Sequence, residues 1–274
     1  MRTYAEQPTT AAEQNTDRVD TMIIETLIEQ LRALRLLGMA DSLERQLKTE
    51  NHEELRFEER LHLMLQNERI ERDNQSYGKR RRWAKIPIPE ARLEDIDHSL
   101  PRDFDRLTLK NLYELGWIKK RLNVVLIGPT GVGKSFIASA LVDAACRADY
   151  SVRCFRMCKL AEQLARAHAL QRRSGFLRDM AKADVLLIDD LTIGSLTEQV
   201  KRDLLEILDD RYDRKSTIVT TQLGLESWHA AFGDPTLADA LMDRLVHNAF
   251  KLQAKAESES VRKLKGLSGT LKTS

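Results

Sequence analysis

The sequence predicts an α/β fold, a parallel β-sheet flanked by helices, with a small all-α domain in front of it. Three observations carry this. Short apolar runs alternate with longer amphipathic stretches over about 101–266, the run Asp184–Ile188 is almost wholly apolar, and residues 21–77 carry leucines at helical spacing. Strands that are apolar along their whole length are buried on both faces, and crossover helices on a parallel sheet bury them in that way.

In chain order, residues 1–20 are polar, read as a flexible tail and hold no apolar core of a secretion signal. Residues 21–77 form the helical domain. Leu27, Leu31 and Leu34 recur at helical spacing after Met22, Ile23 and Ile24. Gly38, after Leu36 and Leu37, stands where a helix C-terminal glycine is expected. Asp41 or Ser42 suits the cap of a second helix bearing Leu43 and Leu47. Asn51 with Glu54 suits the capping box of a third, with Leu55, Leu61, Met64 and Leu65. Helices this short and charged gain most of their stability by packing together.

Residues 78–100 read as a linker. It opens with Gly78 and the run Lys79-Arg80-Arg81-Arg82-Trp83-Ala84-Lys85, and Ile86-Pro87-Ile88-Pro89 then breaks both helix and central strand. Within 101–266, strands are expected at Asn123–Ile127, Val152–Met157, Asp184–Ile188 and Ser216–Thr220. Helices are expected at 134–148, Lys159–Gln171 and Glu198–Tyr212. Residues 267–274 read as a second tail.

Composition narrows the class. Hydrophobic residues are 42% of the 274, enough for an ordinary core, and 44 Lys+Arg against 42 Asp+Glu leave a net charge of +2. Any nucleic-acid footprint must therefore be local. Three cysteines, Cys146, Cys154 and Cys158, fit a reducing compartment, and the last two lack zinc spacing. No apolar run approaches the ~20 residues needed to span a bilayer, so a cytoplasmic protein is expected.

The chemistry lies in one loop. Gly128-Pro129-Thr130-Gly131-Val132-Gly133-Lys134-Ser135, followed by Phe136, matches the phosphate-binding P-loop and falls between a buried strand and a helix. Gly131 and Gly133 permit backbone angles that turn amide N–H groups inward, and the helix N-terminus points its partial positive charge at the same anions. Lys134 suits the β- and γ-phosphates of ATP, and the Ser135 hydroxyl suits Mg²⁺. Val185-Leu186-Leu187-Ile188-Asp189-Asp190 supplies an acidic strand end. Asp189 is expected to hold the Mg²⁺ and Asp190 to orient or deprotonate the attacking water. The next strand ends in Thr220-Thr221-Gln222, where Thr221 is taken as the sensor of the γ-phosphate. In 236–247, Leu237, Leu241 and Leu245 share one helical face with Arg244 one step off it. Arg244 reads either as a surface ion pair or as an arginine finger for a neighbouring subunit's ATP, and Arg262 as a surface residue or a second contact to the γ-phosphate.

These motifs, with Gly233-Asp234-Pro235-Thr236-Leu237-Ala238-Asp239, Asp243-Arg244-Leu245-Val246-His247-Asn248 and the stretch Leu31–Ala40, resemble the IstB family over about 22–266. That family comprises AAA+ helper ATPases of bacterial insertion sequences and is related to the helicase loader DnaC. The resemblance implies a P-loop AAA+ sheet, Arg244 as arginine finger and Arg262 as second sensor. It also implies an ATPase that assembles as a homo-oligomer on duplex DNA and stimulates a partner transposase. Many ATPases of this kind carry Glu where this chain has Asp190, one methylene shorter, which implies slow hydrolysis. A helicase loader and a small-molecule kinase are the competing readings. The N-terminal helices argue against the first, and Asp189, Asp190 and Thr221 suit water attack better than a kinase acceptor. The basic run at 79–85 offers either phosphate contacts, a solvated linker or a patch for another subunit.

Overall fold

The computed structural model describes residues 11–48, 55–96, 106–191 and 196–254. The chain divides into two compact units, residues 1–76 and 77–274. In the first unit, α1 (Ala11–Ala33) and α2 (Leu37–Lys48) pack on each other, and α3 (Phe57–Ala84) supplies its residues up to Ser76. Residues 11–20, expected in the tail, are thus helical. Residues 1–10 and 267–274 lie outside the described residues, and so does the expected capping box at Asn51 and Glu54. Half of a capping box stands further on, where the Glu59 carboxylate accepts from the Arg56 N–H at 2.9 Å.

Gly38 does not end a helix. Arg35 takes the left-handed conformation (φ 61°), and the Leu36 and Arg35 N–H groups reach back to Leu31 O (2.8 Å) and Arg32 O (2.9 Å), which closes α1. Gly38 instead lies in the first turn of α2, where α3 crosses it. A Cβ there would sit 2.6 Å from Asn67 O and from Glu68 Cα. Ser42 and Gln46, one and two turns on, continue the seam. The Ser42 hydroxyl accepts from Asn67 Nδ2 (2.9 Å), and Gln46 exchanges hydrogen bonds with Arg60, donating to its O and accepting from its Nε (each 3.1 Å). Glu68, held by Arg72 at 2.7 Å, accepts from the Gly38 and Met39 N–H groups at 2.9 and 3.3 Å, so α3 caps α2. Burial raises the Glu68 pKa, but these donors outweigh it and hold the carboxyl below its usual range.

The second unit is a five-stranded parallel sheet of order β2-β3-β4-β1-β5, from β1 (Asn123–Ile127), β2 (Val152–Arg156), β3 (Val185–Asp189), β4 (Ser216–Thr221) and β5 (Ala249–Gln253). Alternate residues of one strand enter different cores. Val185 and Leu187 of β3 join Ile137 and Leu141 of α6 (Lys134–Arg147). Leu186 and Ile188 join α7 (Met157–Ala169), α8 (Arg173–Lys182) and α9 (Glu198–Arg211). This is why β3 is apolar throughout. The short helices α4 (Arg106–Tyr113) and α5 (Gly116–Lys119) bring Leu112 and Trp117 to the α6 side. On the other face, α10 (Trp228–Phe232) and α11 (Pro235–Met242) bring Trp228 and Leu241, and one π-helical turn, Asp243–His247, leads into β5.

The segment expected as a linker is built into this unit. Residues 78–84 are the last turns of α3, which stops where Lys85 turns left-handed (φ 54°). Beyond the helix, Ile86, Ala91 and Ile96 are buried against the α6 core, and the Ile88 N–H donates to Ser139 Oγ at 3.3 Å. The prolines stop the helix, but the isoleucines still bury their apolar surface.

Gly38→Ala forces a Cβ into the backbone of α3 and is expected to cost about 1–3 kcal/mol of stability. Gly78→Ala, also helical but with nothing within 4 Å of the added atom, is expected to be neutral or to stabilise by roughly 0.5–1 kcal/mol. Denaturant unfolding followed by circular dichroism compares the two. Equal effects would remove the close helix crossing from the account.

Candidate functional site

The phosphate loop leaves the C-terminal end of β1 and runs into the first two residues of α6. The Gly128 N–H donates to Thr221 O (3.2 Å) and the Ala254 N–H to Ile127 O (2.8 Å), so the loop starts between β4 and β5. Gly131 and Gly133 have φ of 94° and 96°, angles that L side chains rarely adopt. Val132 is buried beneath the loop, and Phe136 packs at the edge of the α6 core. The Lys134 ammonium donates to Gly128 O (2.7 Å) and Pro129 O (2.9 Å), so it lies inside the loop's own curve. Burial lowers its pKa, and the nearby Asp190 and Asp189 carboxylates oppose that shift. A cationic side chain coiled within a ring of left-handed glycines at a helix N-terminus is a site built for phosphate oxygens.

Asp189 ends β3 and is 2% exposed. Its Oδ1 accepts from Ser135 Oγ at 2.8 Å and from Thr220 Oγ1 at 2.7 Å. A serine hydroxyl and a carboxylate that converge at this distance are hard oxygen donors able to share a Mg²⁺ shell. The residues present therefore fit the metal. Arg156, at the end of β2, stands 3.9 Å from Asp189 Oδ2 with most of its side chain exposed. The sequence reading did not single it out.

Asp190 follows in the left-handed region (φ 58°), which asparagine and aspartate tolerate better than other side chains. Its N–H donates to Thr220 Oγ1 at 2.8 Å, and its exposed carboxylate accepts from Gln222 Nε2 at 3.1 Å. The same Gln222 amide accepts from Thr130 Oγ1 of the phosphate loop at 2.9 Å. Thr221 is not part of this arrangement. It is fully buried, donates to Leu191 O and accepts from the Leu223 N–H, each at 3.2 Å. Strand alternation is the cause: Thr220 and Gln222 share the face toward the two aspartates, and Thr221 has the other. Gln222, missed from the sequence, was legible by that period once Thr220 was known to face Asp189.

Arg244 lies in the π-helical turn, a distortion common at functional positions. Its guanidinium pairs with Asp209 and donates to Ala240 O at 2.9 Å. Its backbone is pinned by Asn123 Nδ2, which donates to Arg244 O at 2.7 Å. Asn123 is the first residue of β1, and the phosphate loop follows the last. The five residues of β1 span roughly 13 Å or more at ~3.3 Å per residue. Arg244 therefore sits at the opposite end of the sheet from its own chain's loop. Arg262 lies outside the described residues.

Comparison with known proteins bears on this site. The y4pL protein of Sinorhizobium fredii, named as an insertion sequence ATP-binding protein, is 38% identical over 237 residues, 86% of this chain and 96% of its own. The ATP-binding protein of insertion sequence IS1162 of Pseudomonas fluorescens is 41% identical over 202 residues, 74% of this chain and 87% of its own. Among solved structures, the DnaC helicase loader (TM-score 0.50, 22% identity, 60% of this chain and 97% of that one) shares the AAA+ fold. So does DnaI (TM-score 0.52, 20% identity, 61% and 92%). Among the described residues no helix is long and apolar enough to cross a membrane. Residues 29–266 match the family described as IstB-like ATP binding protein, and the chain, with its AAA+ sheet and phosphate loop, belongs to that family.

Proposed function

We propose that the chain is the ATP-hydrolysing helper of a bacterial insertion sequence, assembling as a homo-oligomer on duplex DNA in the cytoplasm and stimulating a partner transposase. The observation that carries this reading is the separation of two half-sites. One end of the sheet holds a phosphate loop with Ser135 and Asp189, and the other end holds Arg244, which cannot reach that loop within one chain. A second copy brings the halves together, and the insertion-sequence names of the relatives supply the setting.

In this reading the Gly128–Ser135 amides and Lys134 bind the phosphates. Ser135 and Asp189 would hold Mg²⁺, which would supply charge neutralisation at the phosphates. Asp190, tied to Gln222, takes the proton of the attacking water. Gln222 links that base to Thr130 of the loop, so it takes over the sensing role first given to Thr221. Arg244 leaves Asp209 and stabilises the γ-phosphate charge of the neighbouring copy. Arg262 is a second sensor in the same proposal.

Lys134→Ala is expected to lose ATP binding, and with it ATP-dependent oligomers on duplex DNA, seen by sizing with and without nucleotide. Arg244→Ala keeps ATP binding and loses hydrolysis. Mixing the two variants recovers part of the hydrolysis, because an intact loop then meets an intact finger across one interface; no recovery at any ratio would sink the two-copy site. Gln222→Ala is expected to slow turnover by about 10- to 100-fold with ATP affinity kept. Thr221→Val lowers the melting temperature and leaves turnover within a few-fold. The reverse pattern would return the sensor role to Thr221.

A further inference from the structure

The basic run of 79–85 divides by helical period into two groups with different partners. Tyr77, Arg80, Arg81 and Ala84 follow the i, i+3, i+4, i+7 face of α3 and turn inward. The Tyr77 hydroxyl donates to Asp143 Oδ1 (2.7 Å), Arg81 Nε lies 2.8 Å from the same oxygen, and Arg80 donates to Cys146 O (2.7 Å) and pairs with Asp149. Lys79, Arg82 and Trp83 share the opposite face at i, i+3, i+4 and are exposed, as is Lys85 at the helix end. No side-chain hydrogen bond or ion pair joins Lys79, Arg82 or Lys85 to another described residue.

Beside this face runs an open groove of about 310 Å³. Its lining is largely apolar, with Trp83, Val152 and Ala183, and also holds Lys79, Arg80, Arg153 and Lys182 with the carboxylate of Asp179. Trp83 is 65% exposed, so most of its ring stands open at this groove. The Arg153 guanidinium lies 4.3 Å from the centre of its ring and donates to Trp83 O at 3.3 Å. With one face covered, the ring cannot slide between two stacked bases, which needs both faces free. It can still serve as a wall for a sugar.

We infer that this face of α3 and the groove beside it form the seat for the sugar–phosphate backbone of duplex DNA. Lys79, Arg82, Lys85 and Lys182 meet phosphates, and the free edge and face of Trp83 pack on deoxyribose. Such a surface carries no donor–acceptor pattern for base edges, so it binds without sequence preference. The inference deepens the reading of the chain as a DNA-bound ATPase and rests on it.

The test is binding of a fluorescein-labelled duplex to the full chain with ATP, by anisotropy over a series of salt concentrations. The triple variant Lys79→Ala/Arg82→Ala/Lys85→Ala is expected to bind on the order of 10- to 100-fold more weakly. The slope of log affinity against log salt is expected to fall by roughly 2–3, about 0.9 per lost phosphate contact. Lys182→Ala lowers the slope by about one. Trp83→Ala weakens binding a few-fold with the slope unchanged, and Trp83→Phe restores it. Lys119→Ala/Lys120→Ala, which removes exposed charge elsewhere, binds as the parent does. All variants should bind a fluorescent ATP analogue normally. If the triple variant matches that control in affinity and slope, or loses only single-stranded binding, the seat is overturned. It is also overturned if the variant loses self-association without DNA, because the face is then a contact between copies. A parent chain that binds no duplex at all overturns the proposed function itself.

Discussion

The carboxylate of Asp189 is the group around which the nucleotide site is organised. It is almost completely buried, and a charge removed from water must be met by donors or it destabilises the fold. Ser135 at the start of α6 and Thr220 near the end of β4 meet it through the same oxygen. Each such hydrogen bond to a charged group contributes about 1.5–3 kcal/mol, so three elements distant in sequence are drawn to one point. Thr220 also accepts from the Asp190 N–H, and this holds the backbone turn that exposes the second aspartate. Register does the rest: β4 lies between β1 and β3, which brings the loop, the aspartates and Gln222 to a common sheet edge.

The same sheet separates Arg244 from the phosphate loop of its own chain. In a parallel sheet all strands end at one edge, and that edge holds the phosphate chemistry. Arg244 is tied by Asn123 to the edge where the strands begin. In the assembly proposed above, each copy's starting edge faces the next copy's ending edge, so that Arg244 meets a neighbour's loop. In the same proposal the exposed half of the basic α3 run recurs in every copy, so that modest charge per chain adds up along the DNA.

Buried charge also sets the N-terminal helices. Glu68 faces the first turn of α2, whose amide groups have no partner within their own helix, and Gly38 lets α3 come close enough for the carboxylate to reach them. A side chain at position 38 would remove the cap as well as the packing.

The fold class, most strands of the sheet, the phosphate loop and the two aspartates were legible in the sequence, because each depends on local pattern. Strand burial writes itself as apolar runs, and phosphate binding needs glycines and a lysine at fixed spacing over a few residues. The short helices α4 and α5 and the edge strand β5 were not foreseen, since elements of four to eight residues carry too little periodicity. Gly38 looked like a helix end because a glycine after a helical run has that meaning locally, whereas its reason is a helix 30 residues further on. Residues 78–96 looked like a linker because basic runs and prolines break local pattern, yet their partners Asp143, Ser139 and Asp149 come from the other side of the phosphate loop. Which of Thr220, Thr221 and Gln222 meets the aspartates depends on which face of β4 lies toward Asp189. Sequence by itself determined the chemistry the chain holds. Tertiary structure decided where each group points, because strand order and helix crossing are set by contacts between residues far apart along the chain.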